Sequence, residues 1–370
     1  MGRPLLALPA VPGPELQAAL LAALAGTGPA LLPLPSDPAQ AARVVAALRP
    51  DLPEDDEEVA LVISTSGSSG EPKGVLLTAA CLTASARAAE QRLGGPAGWL
   101  LALPVTHIGG LQVLLRALLA GAPPVVSSDL VAGTAALPPG RRHTSLVPTQ
   151  LRRALAEPAT AAALATYDAV LLGGAACPPA LLAEARAAGV RVVTTYGMSE
   201  TSGGCVYDGV PLPGVTAEVG EERISLSGPV VARGYRLRPD LTARAFAGST
   251  YRTDDVGRWD GDRLVVLGRA DDLVVTGGEK VAPAAVEAAL AEHPSVGDVV
   301  VTGVPDELWG ARVVAHVVLR PGLELTLEQA RAHVAARLGR IAAPRELRLL
   351  PALPVLPSGK PDRAALRSPP

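Results

Sequence analysis

The sequence of 370 residues predicts an α/β protein with two domains. Apolar runs of strand length alternate with helical runs between residues 59 and 194, which is typical of a largely parallel sheet flanked by helices. Between about 214 and 267 the runs shorten and carry many Gly and Arg, which indicates a small β-rich subdomain. The remaining hundred or so residues suffice for a compact α+β domain. We therefore expect a large N-terminal domain over 1–269 and a smaller C-terminal domain over 270–370.

The individual elements follow from the spacing of apolar residues and from the positions of Gly and Pro. Helices are expected near Glu15–Ala25, Pro38–Leu48, Thr78–Leu93, Leu111–Ala120, Gln150–Ala156, Pro179–Ala188, Pro283–Ala291 and Leu327–Leu338. Strands are expected near Val59–Ser64, Trp99–Leu103, Pro124–Ser127, Thr144–Val147, Ala169–Leu172, Val190–Thr194, Val299–Gly303, Arg312–Leu319 and Arg345–Leu350.

Composition excludes several classes of function. A net charge of -3 gives no reason to expect binding to nucleic acid or to an anionic membrane surface. No apolar run approaches the roughly 18 residues of a membrane-spanning helix, and the N-terminus does not resemble a signal peptide. Three cysteines without metal-ligand spacing are expected to be reduced thiols of a cytoplasmic protein. The sequence leaves the oligomeric state open, with a homodimer as one option.

Lysine is the most informative residue type in the chain. Only three lysines occur against thirty arginines, and each lies in a loop marked by Gly or Pro: Lys73, Lys280 and Lys360. A compact ammonium group on a flexible stem can enter a tight loop or reach a reacting oxygen in a way that a planar guanidinium cannot. The three positions are therefore candidates for function, with chance retention at the surface as the alternative.

The segment Ser64-Thr-Ser-Gly-Ser-Ser-Gly-Glu-Pro-Lys-Gly74 is a candidate phosphate loop. Glycines allow backbone N–H groups to turn inward, hydroxyls add donors, and Lys73 adds positive charge. We expect a strand before the loop and a helix near Thr78 after it. It is not a Walker A loop, because Lys73 lies between Pro72 and Gly74.

Three further segments suit a nucleotide. In Thr194-Thr-Tyr-Gly-Met-Ser-Glu-Thr-Ser-Gly-Gly204, Tyr196 offers a flat face for a base, Ser199 a hydroxyl for a phosphate, and Glu200 an oxygen for Mg²⁺. In Tyr251–Asp255 and Gly268–Asp272, a carboxylate and an arginine can hold the two hydroxyls of a ribose, although a surface ion pair is the alternative. Lys360 lies in a Pro-Ser-Gly-Lys-Pro loop, which can reach a site when the second domain closes over the first.

Together these segments resemble the acyl-adenylate-forming superfamily, from about Val59 to the end of the chain. That resemblance implies a two-step reaction: a carboxylic acid and ATP form an acyl-AMP and pyrophosphate, and a thiol, usually that of CoA, then displaces AMP after rotation of a mobile C-terminal domain. It also implies ATP, Mg²⁺ and CoA as the cofactor and co-substrates.

The resemblance implies a role for individual residues. The pyrophosphate side of ATP would be held by Thr65, Ser66, Gly67, Ser68, Ser69, Gly70 and Lys73. The adenine and its phosphate would lie against Gly173, Gly174, Ala175, Thr195, Tyr196, Gly197 and Ser199. Asp255 and Arg269 would hold the ribose, Asp271 would be the hinge, Glu200 would bind Mg²⁺, and Lys360 would neutralise charge during adenylation. The loop with Gly277, Gly278 and Lys280 would line the tunnel for CoA.

Within the superfamily, three segments are most similar to the o-succinylbenzoate–CoA ligases of menaquinone biosynthesis: Leu103–Leu111, Ser145–Leu151 and Leu353–Arg363. The expected substrate is thus a small aromatic carboxylic acid, with His107 bordering the acyl pocket near the thioester-forming centre. Asp254 departs from the family, which usually has glycine before the ribose aspartate. The alternatives are another acyl- or aryl-CoA ligase of the same superfamily and a homologue that binds a nucleotide or an acyl group without catalysis.

Overall fold

The computed structural model describes residues 2–66, 71–220, 223–354 and 361–367, without the side chain of Ser66. Its strands in chain order are β1 (Leu5–Pro9), β2 (Ala30–Leu34), β3 (Val59–Ser66), β4 (Pro72–Thr78), β5 (Gly98–Leu101), β6 (Val125–Val126), β7 (Arg142–Leu146), β8 (Ala169–Leu172), β9 (Val192–Met198), β10 (Gly203–Tyr207), β11 (Val210–Pro211), β12 (Thr216–Gly220), β13 (Arg223–Ser227), β14 (Gly234–Tyr235), β15 (Phe246–Ala247), β16 (Thr250–Asp260), β17 (Arg263–Arg269), β18 (Val274–Thr276), β19 (Glu279–Val281), β20 (Val296–Asp306), β21 (Gly310–Leu319) and β22 (Glu346–Leu349).

The helices in the same order are α1 (Pro14–Leu24), α2 (Pro38–Leu48), α3 (Ala79–Arg92), α4 (Ile108–Leu119), α5 (Leu130–Ala136), α6 (Pro148–Ala156), α7 (Pro158–Leu164), α8 (Pro179–Ala187), α9 (Pro239–Ala245), α10 (Pro283–Ala291), α11 (Leu327–Leu338) and α12 (Arg363–Arg367). Many begin with proline, whose missing N–H costs nothing in the first turn. Helices α2, α3, α5 and α11 are capped at their N-termini by the side chains of Asp37, Thr78, Asp129 and Thr326, which accept hydrogen bonds from backbone N–H groups. None of the helices in the described part of the chain combines the length and the hydropathy that a bilayer crossing requires.

The first two sheets contain most of the parallel pairing. The first sheet has the order β1-β2-β3-β4-β14, with β1, β2 and β3 parallel and β4 and β14 antiparallel to their neighbours. The second sheet has the order β11-β10-β9-β8-β7-β5-β6, and its run from β9 to β6 is parallel. The alternation of strands and helices predicted for residues 59–194 produces this second sheet, so its parallel strands end on one edge.

The third and fourth sheets are mainly antiparallel. The third has the order β12-β13-β16-β15, with β17 also paired to β16, and it is the β-rich subdomain expected from the short, Gly- and Arg-rich runs. The fourth has the order β19-β18-β21-β20, with β22 parallel to β21. Helices α10 and α11 pack on this last sheet, and the residues from Val274 to Ala342 share a separate apolar core.

Several predicted limits agree with the structure and several elements were missed. The helices Pro38–Leu48, Pro283–Ala291 and Leu327–Leu338 have the limits expected from the sequence. Strands β1 and β2 were not predicted, since their apolar runs are flanked or interrupted by proline and show no alternation. The short helices α5, α7 and α9 were also missed, because seven residues span barely two helical turns.

The helix predicted near Thr78 is present as α3, with Thr78 as its N-cap, but the sequence did not predict the strand that precedes it. Residues Pro72–Thr78 form strand β4, which pairs with β3 so that Lys73 lies opposite Thr65. A strand fits the sequence of this segment, because Val75 and Leu77 are two residues apart and both fully buried, as on one face of a strand. Helix α3 therefore begins at the far end of β4, and its N-terminus does not face the loop.

A buried arginine fixes the segment between α2 and β3. The Arg236 guanidinium forms an ion pair with the buried Glu54 and donates hydrogen bonds to the carbonyl oxygens of Leu48, Arg49 and Leu52 at 2.6, 2.9 and 2.6 Å. Arg236 follows β14 directly, so this cluster holds the edge of the first sheet in place. Removing one member of a buried ion pair leaves the other charge without compensation.

Replacing Arg236 with methionine is expected to lower the free energy of unfolding by about 3–5 kcal/mol, because Glu54 and the carbonyl groups lose their donor. Chemical denaturation followed by circular dichroism measures this change. The matched control Arg238→Met alters an exposed arginine two residues away and should leave the unfolding midpoint unchanged. A decrease in the free energy of unfolding that is confined to Arg238→Met, or equal in both variants, would contradict the structural role of Arg236.

Candidate active site

The first three sheets meet at the C-terminal end of β9, where two tyrosines bind two carboxylates. The Tyr196 hydroxyl on β9 donates a hydrogen bond of 2.8 Å to Asp255 Oδ2 on β16. The Tyr235 hydroxyl on β14 donates a hydrogen bond of 2.7 Å to Glu200 Oε1, just beyond β9. The polar side chains predicted from separate segments of the sequence are therefore brought together at one junction.

Asp255 is half-buried at this junction. Burial raises its pKa, while the hydrogen bond from Tyr196 and the positive charge of Arg269 act in the opposite direction. The backbone pairs Asp255 with Arg269 across β16 and β17, and the Asp255 N–H donates to Thr253 Oγ1 at 3.0 Å. Asp255 and Arg269 therefore face each other on neighbouring strands, while the Arg269 guanidinium contacts Asp254 and Asp271.

Asp254 forms different contacts from its neighbour Asp255. Its carboxylate pairs with Arg223 Nη1 at 3.1 Å and with Arg269 Nη2 at 3.2 Å, and its side chain is about half exposed. Two arginines therefore offset the additional negative charge that the sequence places before Asp255. The Tyr196 hydroxyl bonds Asp255 rather than Asp254, which leaves Asp255 as the carboxylate directed toward β9.

Glu200 lies in a short 3₁₀ turn, Ser199–Thr201, that follows β9 directly. Burial raises the pKa of its carboxyl group, and the hydrogen bond from Tyr235 and the positive charge of Lys73 lower it. The Tyr251 hydroxyl lies 3.4 Å from that of Tyr235 and adds a second polar group beside Glu200. A cation supplied by a ligand would stabilise the charged form of this partly desolvated carboxylate.

Lys73 approaches the same cluster from the hairpin of β3 and β4. Its Nζ lies 5.7 Å from the centre of the Tyr235 ring, a distance at which a cation is attracted to the ring face. Across the hairpin, the Thr65 hydroxyl donates to the Lys73 carbonyl oxygen at 3.4 Å. The stem of the predicted phosphate loop therefore contacts the residue that binds Glu200.

Glycines shape the opposite side of the junction. A Cβ atom at Gly173 would lie 2.2 Å from Thr195 Oγ1, and one at Gly197 would lie 2.2 Å from the Gly203 carbonyl oxygen. Gly174 and Gly197 also have φ values of 79° and 155°, which favour glycine. Ala175 is exposed beside them, so backbone rather than side chains lines this part of the site.

The remaining predicted residues occupy other positions. His107 is exposed at the N-cap of α4, and Ser199 is buried in the 3₁₀ turn. Gly277 and Gly278 form the turn between β18 and β19, and Lys280 is exposed on β19, so these three belong to the fourth sheet. The residues outside the described part are Gly67, Ser68, Ser69, Gly70 and Lys360, together with the Ser66 side chain.

Sequence reasoning missed Tyr235 and Tyr251. Neither lies in a segment whose composition indicated that it would contact Glu200, and four strands, β10 to β13, separate Glu200 from the strand of Tyr235. The signal that places Tyr235 is the pairing of β14 with β4, opposite Val75, which a single sequence does not reveal. The structure therefore adds two hydroxyl groups to the predicted site.

Comparison with protein families identifies both parts of the chain. Residues 16–237 match the AMP-binding enzyme model, and residues 285–360 match the AMP-binding enzyme C-terminal domain. A probable 2-succinylbenzoate–CoA ligase of Mycobacterium tuberculosis is 50% identical over 94% of this chain and 93% of its own length. A sulfoacetate–CoA ligase of Cupriavidus necator is 35% identical over 92% of this chain and 72% of its own length.

Solved structures agree with the family assignment. The o-succinylbenzoate CoA synthetase of Bacillus subtilis, in complex with its acyl-adenylate intermediate, has a TM-score of 0.76 and 26% identity, covering 99% of this chain and 83% of its own. The amide bond synthetase McbA of Marinactinospora thermotolerans has a TM-score of 0.77 and 28% identity, covering 96% and 82%. The predicted fold class and superfamily resemblance are thereby confirmed, and the chain belongs to the AMP-binding enzyme family.

Proposed function

We propose that the chain is an ATP-dependent acid–thiol ligase that converts 2-succinylbenzoate, ATP and CoA into 2-succinylbenzoyl-CoA, AMP and diphosphate. The observation that carries this proposal is the meeting of Tyr196 and Asp255 with Glu200 and Lys73 at one junction. The first pair suits a nucleoside and the second suits its phosphates. The high identity to a relative named 2-succinylbenzoate–CoA ligase supports the choice of acid.

In this proposal the nucleoside of ATP lies along the end of β9. The Tyr196 ring and the backbone of Gly173, Gly174, Ala175, Thr195 and Gly197 face the adenine. Asp255 accepts hydrogen bonds from the ribose hydroxyls and Arg269 donates to them. The Tyr196 hydroxyl holds Asp255 in place, so the carboxylate keeps one orientation as the nucleotide enters.

The phosphates lie between Lys73 and Glu200. Lys73, the Ser199 hydroxyl and the loop from Thr65 to Gly70 bind phosphate oxygens. In the described part of the chain, no three His, Cys, Asp or Glu side chains are placed so that they could together hold a metal ion, so an ion here depends mainly on Glu200 and on ligand oxygens. This fits Mg²⁺, which retains waters and binds through one or two carboxylates plus phosphates; when bound, it would neutralise phosphate charge.

Catalysis then requires positioning and charge stabilisation more than covalent help from the protein. The carboxylate of the acid attacks the α-phosphorus of ATP, the bond to the pyrophosphate oxygen breaks, and the acyl-AMP forms. We assign Lys360 to the negative charge that develops in this step. In the second step the CoA thiolate attacks the acyl carbon near His107, and AMP leaves with the former carboxylate oxygen.

The two steps use different orientations of the C-terminal domain. We place the boundary between 1–269 and 270–370, with Asp271 at the hinge, so that the third sheet remains with the nucleotide. Lys360 serves the adenylation step. The turn of Gly277 and Gly278, together with Lys280, approaches the same centre for the CoA step. ATP and CoA are available in the cytoplasm, where we place the enzyme, with a homodimer as its proposed assembly.

A screen of carboxylic acids tests the substrate. Release of pyrophosphate and formation of the CoA thioester are expected with 2-succinylbenzoate at a kcat/KM at least on the order of 10²-fold above sulfoacetate or a long-chain fatty acid. Sulfoacetate belongs in the screen because one relative carries that name. Preference for another acid would replace the assigned substrate, and nucleotide binding without pyrophosphate release would indicate a non-catalytic homologue.

The neighbouring acidic residues Asp255 and Asp254 are expected to differ in their effect on AMP binding. Asp255→Asn should weaken AMP binding by on the order of 10-fold or more, because a charged hydrogen-bond acceptor for the ribose is lost. Asp254→Asn is the matched control and should change the affinity by less than about 3-fold, since its carboxylate pairs with arginines. Isothermal titration measures both, and a larger effect at Asp254 would reverse the assignment.

Lys360 and Gly277 are expected to separate the two half-reactions. Lys360→Ala should slow acid-dependent ATP–pyrophosphate exchange by on the order of 10²-fold or more, with thioester formation from supplied acyl-AMP largely retained. Gly277→Val should do the reverse, because Gly277 has φ 59° and its Cβ would lie 3.0 Å from the Trp309 ring. Equal loss in both half-reactions for both variants would count against alternation of the C-terminal domain.

A further inference from the structure

A cleft lined mainly by basic side chains lies beside the candidate active site, and most of its residues have no assigned role. Its volume is about 640 Å³, and the charged residues that line it are Lys73, Arg223, Arg244, Arg252 and Asp254. The chain as a whole carries a net charge of -3, so this concentration of positive charge is local.

The third sheet forms one wall of the cleft. Ser225 pairs with Arg252 across β13 and β16, and both residues line the cleft. Ile224 and Leu226, on either side of Ser225, are fully buried in the apolar core of this sheet. The alternation of side chains along β13 therefore directs its apolar residues into the core and its polar residues toward the cleft.

Helix α9 and the hairpin of β3 and β4 supply further cations. Arg244 lies in the last turn of α9, and Lys73 is the second residue of β4. Arg244 and Arg252 are both exposed, and no ion pair or side-chain hydrogen bond joins either of them to another residue in the described part of the chain. Their guanidinium groups are therefore available to an anion from solution.

The carboxylate of Asp254 does not cancel this charge. It pairs with Arg223 Nη1 at 3.1 Å and with Arg269 Nη2 at 3.2 Å, so two guanidinium groups already share it. A concave surface that carries mainly one sign of charge focuses its electric field and raises the local concentration of ions of the opposite sign. The cleft is therefore suited to a small anion of high charge.

Two tyrosines separate the cleft from Glu200. Tyr235 and Tyr251 both line the cleft, and their hydroxyl oxygens lie 3.4 Å apart. The Tyr235 hydroxyl donates to Glu200 Oε1, and Lys73 Nζ lies 5.7 Å from the centre of the same tyrosine ring. Lys73 therefore borders both the candidate phosphate site and the cleft, and a phosphate bound by Lys73 lies at the entrance of the cleft.

We propose that this cleft binds the pyrophosphate that leaves when the acyl-AMP forms, with Arg244 and Arg252 as its ligands beyond Lys73. The proposal rests on the proposed function and deepens it by adding a site for the first product. Guanidinium groups donate paired N–H bonds to phosphate oxygens, which makes arginine well suited to this anion. The pyrophosphate moves from the α-phosphorus into the positive field of the cleft, and it returns from the same cleft in the reverse reaction.

Such a site affects free pyrophosphate more than ATP. The affinity for ATP includes the contacts of adenine and ribose, and its phosphates remain attached to a nucleoside held at Tyr196 and Asp255. Free pyrophosphate lacks those contacts and depends on the basic side chains. Loss of the cleft arginines should therefore weaken pyrophosphate binding while leaving ATP binding nearly unchanged.

The test measures acid-dependent ATP–pyrophosphate exchange in the wild-type enzyme, Arg244→Gln, Arg252→Gln and the double variant. The KM for pyrophosphate is expected to rise about 3-fold in each single variant and on the order of 10-fold in the double variant, because each change removes one charged donor at an exposed position. The KM for ATP should stay within about 2-fold of the wild type. Inhibition of thioester formation by added pyrophosphate should weaken by the same factors, and the differences should shrink at high salt.

A matched control and the KM for ATP separate this role from others. Arg258→Gln alters an exposed arginine of β16 that does not line the cleft, and it should change neither KM. An equal rise in KM for ATP and for pyrophosphate would overturn the proposal, because the arginines would then bind the phosphates of ATP itself. An unchanged KM for pyrophosphate in the double variant would also overturn it and leave the proposed function intact. A wild-type enzyme that shows no exchange with any acid of the screen would instead overturn the proposed function, and with it this assignment.

Discussion

Two hydrogen bonds from tyrosine to carboxylate hold the candidate site together. Tyr196 on the second sheet binds Asp255 on the third, and Tyr235 on the first sheet binds Glu200 at the end of the second. Each bond therefore crosses from one sheet to another at their common junction. Loss of either hydroxyl would leave a half-buried carboxylate without its neutral donor, so the positions of the sheets and of the acidic groups depend on each other.

The electrostatics of this junction suit a ligand that carries both hydroxyl groups and negative charge. Burial raises the pKa of Asp255 and of Glu200, and nearby cations counteract that effect at each of them. The pairing of Asp254 with Arg223 and Arg269 keeps its additional charge from acting alone. In the proposed function, a nucleotide would supply hydroxyl donors for Asp255 and phosphates for Lys73.

The sequence predicted the motifs but not the contacts between them. The alternation of apolar runs predicted the parallel sheet, because local composition determines such features. The segments around Tyr196, Asp255 and Lys73 were expected to be loops, but these residues lie in strands β9, β16 and β4. The strand character of Pro72–Thr78 was missed, since it depends on pairing with β3. Tyr235 was missed for a related reason: its significance comes from its hydrogen bond to Glu200, which only the folded chain reveals.

The path of one oxygen atom tests the central claim most directly, namely that the junction is the site of an acyl-AMP intermediate. The acid is labelled with ¹⁸O in the reacting carboxylate, the enzyme is incubated with ATP and CoA, and the products are analysed by mass spectrometry. If the carboxylate attacks the α-phosphorus, AMP must acquire a labelled oxygen while pyrophosphate remains unlabelled. Unlabelled AMP, or label in a phosphate released from the γ-position, would contradict the account.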